Sequence, residues 1–405
     1  MSSPGAALKA ARPRAVAALR RFSGDLDAAE DAFQDAAEQA LKKWPKEGLP
    51  DNPTGWLIQV GRNRLIDQAR RGRFQTTLDD DPAAAPEDDE IKRIDDDVLR
   101  LIYTCCHPAL SEEAQVALTL KIIAGLSTND LALAFLTPVR TMEQRLARAK
   151  KKIREAGIPF AIPAERDLPD RLDAVLATLY LIFNQGYSAR KDSVADPRTC
   201  EEAIWLTRLV RRLNPSHDET AGLLALMLLQ HARHPARVEK DTLIALDQQD
   251  RSLWRTDLLT EGTTLIKVTL ARRNPGPYQT QAAIAAIHGE ATTADDTDWR
   301  QIALLYQILE EQLPNPVVTL NRAVAMLHAG DSEAANALLE QLESSHSERM
   351  LQYVPFLTAR AHALDGLAES EPQRASEYLN KAIEISENDQ EKRYLMQQLE
   401  HFRSK

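Results

Sequence analysis

The stretch LSTNDLALAFLTPVRTMEQRLARAKKKIREAG, residues 126–157, reads as two helices joined by a tight turn. A helix is expected over 128–136. Thr137-Pro138 follows, with a hydroxyl suited to capping and a proline suited to the first helical position. In the second helix Met142, Leu146, Ala149 and Ile153 recur at spacings of three and four, which marks a buried face. Arg140, Gln144, Ala147, Arg148 and Lys151 then point away from it. A short helix, a tight turn and a longer basic helix make the helix-turn-helix pattern. Two packed helices with a wet basic face would give the same pattern, so the rest of the chain has to decide.

A second basic helix lies upstream, in GWLIQVGRNRLIDQARRGR (55–73). Residues 62–73 hold five arginines and one acid, Asp67, and residues 140–154 hold seven Lys/Arg and one acid, Glu143. Trp56, Val60 and Leu65 can pack inward while Arg62, Asn63, Arg70 and Arg71 face out. Arginines so placed can clamp phosphates, and a nearby aromatic ring can support an unstacked base. Core packing is the alternative for Trp56. Before this helix, DLDAAEDAFQDAAEQALKKW (25–44) carries an apolar stripe of Ala28, Ala32, Phe33, Ala36, Ala40, Leu41 and Trp44. Asp27, Glu30, Asp31, Gln34, Asp35 and Glu38 decorate its other side. The turn PKEGLPDNPTG (45–55) connects the two.

These basic helices sit in a chain of 405 residues with a formal net charge of −10. Residues 1–157 are neutral, with 24 bases against 24 acids, so the negative charge belongs to the remainder. Between the basic modules lies DDDPAAAPEDDEIKRIDDD (79–97), with ten acids and two bases, expected to be a flexible, self-repelling tether. A proline-rich break follows at 157–170. The expected domains are 1–75, a linker at 76–98, 99–157, a second linker at 158–170, 171–290 and 291–405.

Few glycines and recurrent Ala, Leu, Glu, Arg and Gln predict an all-α protein. No apolar run is long enough to span a bilayer, and the alanine-rich, basic N-terminus reads as a first helix and not as a signal peptide. Three cysteines give no disulfide framework, which fits a cytoplasmic location. Residues 315–344 have a repeat grammar: a helix with small residues, a Gly330-Asp331 turn, then a second amphipathic helix. Residues 351–386 repeat it loosely, so 171–400 reads as an α-solenoid.

Catalytic chemistry is scarce. TCCHP (104–108) reads as a buried structural pair of cysteines, His231 and His234 make only a weak zinc candidate, and no metal or cofactor is expected. Asn184, Gln185 and Tyr187 of FNQGYSA form a candidate regulatory cluster or a helix-ending turn.

Taken together, AEDAFQDA, NPTGWLIQVGRNRLIDQARR, LIYTCCHPALSEEAQVALTLKIIAGLST and MEQRLARAKKKIREAGIPF resemble the bacterial extracytoplasmic-function (ECF, group IV) sigma factors. Those consist of two helical domains, sigma-2 and sigma-4. LYLIFNQGYSA, PGPYQTQAAIAAIH, DTDWRQIALLY and NPVVTLNRAVA resemble the C-terminal extension of one subgroup, related to tetratricopeptide repeats. That subgroup usually has Asn-Glu-Gly-Tyr where this chain has Asn184-Gln185-Gly186-Tyr187.

The resemblance implies a promoter-specificity subunit with no catalysis of its own, acting on promoter DNA with core RNA polymerase through its beta-prime clamp and beta flap. It assigns Asp27, Glu30, Asp31, Gln34, Asp35 and Glu38 to the polymerase clamp. It assigns Trp56, Arg62, Asn63, Arg64, Asp67, Arg70 and Arg71 to the −10 element. Arg140, Thr141, Glu143, Gln144, Ala147, Arg148 and Lys151 fall to the −35 element, with Lys150, Lys151, Lys152 and Arg154 suited to phosphates. The C-terminal array is expected to regulate this activity in cis and to take a protein or peptide partner. A stand-alone helix-turn-helix regulator with a sensory solenoid is the alternative, and a repeat scaffold without DNA a third.

Overall fold

The structure, a computed structural model, describes residues 3–70, 88–135, 137–164, 166–187, 197–239, 242–367, 371–386 and 389–403. Helices dominate them. The chain divides into two compact units, Met1–Asn214 and Pro215–Lys405.

In the first unit α1 (Pro4–Ser23), α2 (Leu26–Glu47) and α3 (Pro53–Arg70) form a bundle. The turn between α1 and α2 is set locally. Gly24 takes φ 71° at the end of α1, and Asp25 then accepts the Ala28 N–H at 2.9 Å to cap α2. The α1–α3 approach is close, because a Cβ on Gly61 would stand 2.8 Å from Leu19. The turn expected at 45–55 is shorter than predicted, since both of its ends are helical. Asn52 bonds the Gly55 N–H at 2.9 Å to start α3.

The acidic tether needs a larger correction. Its second half is not a linker but the start of α4 (Asp88–Cys105), which packs on α1. Asp95 and Asp97 are buried there because arginines meet them: Arg14 reaches Asp95 at 3.0 Å, and Arg21 and Arg100 reach Asp97 at 3.2 and 2.9 Å. Residues 71–87, the rest of the expected linker together with Arg71, lie outside the described residues.

Next come α5 (Glu112–Ile122), α6 (Thr128–Ala134) and α7 (Val139–Glu155). A reciprocal box opens α6: Asp130 accepts from the Ser127 N–H at 3.1 Å while Ser127 Oγ accepts from the Asp130 N–H at 3.1 Å. The predicted cap of the next helix is different in detail. Pro138 is extended (φ −58°, ψ 144°) and precedes α7, its carbonyl taking the N–H groups of Thr141 and Met142. The Thr137 hydroxyl is buried and caps nothing.

The first unit does not stop where the sigma-like part was expected to end. α8 (Leu168–Tyr187) and α9 (Pro197–Leu213) pair with each other and pack on α4 and α5. The unit boundary near 214 therefore cuts the expected 171–290 domain. The reason is chemical: Arg171 donates to the Tyr103 carbonyl, and Arg212 of α9 pairs with the buried Asp95 at 2.8 Å.

The second unit runs through α10 (Asp218–Ala232), the single turn α11 (His234–Arg237), a two-residue ribbon of β1 (Val238–Glu239) with β2 (Thr242–Leu243), and α12 (Thr256–Leu270). It continues with α13 (Pro277–Glu290), α14 (Trp299–Gln312), α15 (Pro316–His328), α16 (Ser332–Met350), α17 (Val354–Asp365), α18 (Pro372–Ile385) and α19 (Asp389–Arg403). α10 is buried nearly all round, between α12 and α13. Its Glu219 accepts the Tyr278 and Gln279 N–H groups at 2.9 and 3.0 Å, so one helix supplies the carboxylate that caps another. From α14 onward each helix packs on the next, and two apolar clusters fill this run.

Candidate nucleic-acid interface

Along α7 the buried side chains are Met142, Leu146, Ala149 and Ile153. Arg140, Thr141, Glu143, Gln144, Ala147, Arg148 and Lys151 are all exposed on the opposite side. α7 thus offers a continuous hydrogen-bonding surface of two arginines, a glutamine, a threonine and a lysine. Guanidinium groups can pair bidentately with guanine and the glutamine amide with adenine.

The α3 surface is more committed. Asn63, Asp67 and Arg70 are exposed, whereas Arg62 lies over the Phe22 ring at 4.8 Å and Arg64 pairs with Asp35 at 2.5 Å. The half-buried Trp56 ring stands edge-on to Trp44, with centroids 5.5 Å apart. Trp56, Arg62 and Arg64 of the α3 set, and Asp35 of the α2 set with them, are therefore already engaged within the unit.

On α2, Asp31, Gln34 and Glu38 are exposed, Asp27 and Asp35 half-buried, and Glu30 buried. Burial and the neighbouring Asp27 and Glu30 charges push the Asp31 carboxyl up. Asp27 goes the other way. Burial opposes its ionisation, but hydrogen bonds and charge from Lys150 and Arg154 outweigh that and hold it below the usual carboxylate range.

Sequence reasoning missed Arg12. Its Nε donates to the Ile122 carbonyl and its Nη2 to the Lys121 carbonyl and Glu30, each at 3.2 Å, and its guanidinium lies over Phe33. Burial lowers its pKa, against the pull of Glu30. A signal did exist: Leu8, Arg12, Ala15 and Leu19 share one helical stripe, so an arginine stands where an apolar residue is expected.

Cys105 and Cys106 are buried, as expected of a structural pair. Burial pushes both thiols up, and Cys106 Sγ lies 3.6 Å from Thr119 Oγ1. The His231 and His234 rings are 5.7 Å apart, and no group of three metal-ligating side chains occurs among the described residues. Asn184, Gln185 and Tyr187 occupy the last turn of α8, with Tyr187 stacked on Phe183. Among the described residues no helix is long and apolar enough to cross a membrane.

Residues 8–75 match Sigma-70 region 2, residues 100–153 match Sigma-70, region 4, and residues 171–270 match a family of unknown function (DUF6596). An uncharacterized protein of Rhizobium meliloti (strain 1021), R00370, is 43% identical over 406 residues, covering 98% of this chain and 95% of the relative. The ECF RNA polymerase sigma factor SigL of Mycobacterium tuberculosis (strain H37Rv) is 28% identical over 136 residues, covering 33% of this chain and 77% of SigL. No solved structure matches.

Proposed function

We propose, from the premise that this chain belongs to the family of R00370 and carries both Sigma-70 regions of an RNA polymerase sigma factor, a division of labour among its helices. α7 reads the −35 element through Arg140, Thr141, Glu143, Gln144, Ala147, Arg148 and Lys151. α3 grips the −10 strand through Trp56, Arg62, Asn63, Arg64, Asp67 and Arg70, and Arg71, the next residue in the sequence, is assigned to the same strand. α2 docks on the polymerase clamp through its acidic side. Core polymerase supplies the catalysis, and this chain supplies the address.

The observation that carries the reading is the two-sided character of α7. All seven predicted base-facing residues are exposed, and the four apolar ones are buried. Within 171–405, α8 and α9 belong to the same compact unit as the two Sigma-70 regions. This supports control in cis by the extension, with α8–α9 as its anchor. The helices from α14 onward form the tetratricopeptide-like part, to which we assign a protein or peptide partner. Asn184, Gln185 and Tyr187, at the end of α8, are assigned to that control.

Run-off transcription with purified core RNA polymerase tests the reading. A discrete transcript should depend on the chain and disappear with Arg140→Ala, Gln144→Ala and Arg148→Ala combined. These exposed positions are cleaner probes than Arg62 and Arg64, which pack on Phe22 and Asp35. Tight binding of duplex promoter by the free chain, with no effect on polymerase, would instead establish a stand-alone regulator.

A further inference from the structure

The C-terminal end of α7 carries bases assigned to phosphates, and the N-terminal end of α2 carries acids assigned to polymerase. In this structure the two sets are spent on each other. Lys150 Nζ stands 2.6 Å from Glu30 Oε2 and 2.9 Å from Asp27 Oδ1. Arg154 pairs with Asp27 and lies 3.8 Å from Asp25. Arg12 approaches Glu30 through its other oxygen, Oε1, leaving that residue 5% exposed.

A carboxylate held in this way has no face left for an incoming protein. Exposed pairs such as Arg154–Asp27 contribute little and open readily in salt. The Lys150–Glu30 pair is different, because both side chains are largely out of water and separating them strands a desolvated charge. It opens at low cost only when another cation replaces Lys150. The surface of α2 is thus built to receive basic side chains, and α7 is its present occupant.

We propose that Lys150 and Arg154 form an electrostatic latch on Asp27 and Glu30, which closes the polymerase-docking end of α2 and is displaced by a basic surface of core RNA polymerase. The identity of the competitor rests on the sigma-factor reading; the closed contact does not. Exchange of partners releases the base of α7 for DNA phosphates in the same step that exposes the α2 acids to polymerase. Docking and promoter grip are coupled, and the free chain is held from both.

The test uses the full chain with Lys150→Gln and Arg154→Gln together, which leaves the α2 acids intact. Binding to core polymerase is measured without promoter DNA, so that lost phosphate contacts do not enter. The latch predicts affinity tightened by about fivefold or more, the scale of a partly buried charge pair. Arg154→Gln alone, at an exposed site that folding tolerates, should give a smaller gain in the same direction. A parallel measurement needs no polymerase. Spin labels at Lys43→Cys on α2 and Ala156→Cys after α7 report the separation, since Cys105, Cys106 and Cys200 are all buried. The distance should be single and narrow in the otherwise unchanged chain and shifted or broader in the double variant. Equal affinity with an unchanged distance overturns the latch while leaving the sigma reading intact. Failure of both chains to bind core polymerase overturns the sigma reading, and polymerase as the competitor with it.

Discussion

Gly125 takes a left-handed φ of 75°, and a Cβ built on it would stand 2.6 Å from Cδ of Arg12, more than one hundred residues earlier in the chain. The turn after α5 therefore leaves room for one particular side chain, and that side chain ties α1 to the last carbonyls of α5. Gly125→Ala meets both the positive-φ penalty and the arginine. It should destabilise the first unit by about 2–3 kcal/mol in urea unfolding. Arg12→Ala relieves the crowding and leaves Glu30 with Lys150 as its remaining cation, so the double variant should cost less than the two single losses added together.

This pair also shows where sequence reading stops. The faces of α7 were legible because Met142, Leu146, Ala149 and Ile153 keep a helical period over several turns. The α2–α3 bundle was legible for the same reason. What pairs with what was not. Asp95 and Asp97 look like tether charges in a run of ten acids, and only the tertiary arrival of Arg14, Arg21 and Arg212 makes them interior residues. Lys150 has the composition of a phosphate contact and the position of an ion-pair partner. Local period reports which side of a helix is dry; charge partners more than seventy residues apart leave no period to read.

Asp95 gives a test of how the extension is held. It is buried and meets Arg14 from α1 at 3.0 Å and Arg212 from α9 at 2.8 Å. Arg14→Ala or Arg212→Ala each leaves one cation in place and should cost about 1 kcal/mol or less, as partly exposed pairs do. Losing both leaves a buried carboxylate unpaired, and the double variant should cost about 3–5 kcal/mol. Urea unfolding of the four chains measures the coupling. Simple additivity would show that Asp95 does not join the two helices.

Glu202 on α9 makes the same docking sensitive to pH. Burial pushes its carboxyl up to about 7, against a smaller opposing pull from Lys9. Between the ordinary glutamate range and pH 7 the folded chain holds a proton that the unfolded chain has released. Stability should therefore fall as pH rises through that window. Glu202→Gln keeps the neutral shape and should flatten the slope, read from denaturant midpoints at pH 5 and pH 8. A variant with the original slope would place the titrating group elsewhere.

Arg360 is a buried cation of the second unit, 1% exposed. It pairs with Asn336, reaches Glu343 at 3.3 Å and Glu340 at 3.5 Å, and faces the Tyr378 ring, whose hydroxyl donates to Glu343 at 2.8 Å. α16, α17 and α18 are joined through this one guanidinium. Arg360→Lys keeps the charge but loses the planar fork, and Arg360→Met keeps bulk but loses both. The expected costs are about 1–2 kcal/mol for lysine and about 3–4 kcal/mol for methionine, measured by thermal unfolding. Methionine as well tolerated as lysine would mean that bulk alone is required.

His288 should set the acid limit of the second unit. Burial pushes its imidazole down to about 4, with further repulsion from Arg233, Arg251 and His328. Its ring meets the edge of Trp299, which itself stacks on His328 at 4.1 Å, so α13, α14 and α15 converge on three rings. The folded chain keeps His288 neutral while the unfolded chain takes up a proton below the usual imidazole value. That contribution is fully present above pH 6.5 and is lost as pH falls toward 4. His328 is lowered too, chiefly by burial, and adds a loss of the same sign. Trp299 fluorescence, followed in urea at pH 5 and pH 7.5 with the other four tryptophans replaced by phenylalanine, should show a lower midpoint in acid. His288→Asn should remove most of the difference and His328→Asn part of it. A difference that survives both changes would assign the acid sensitivity to other groups of the unit.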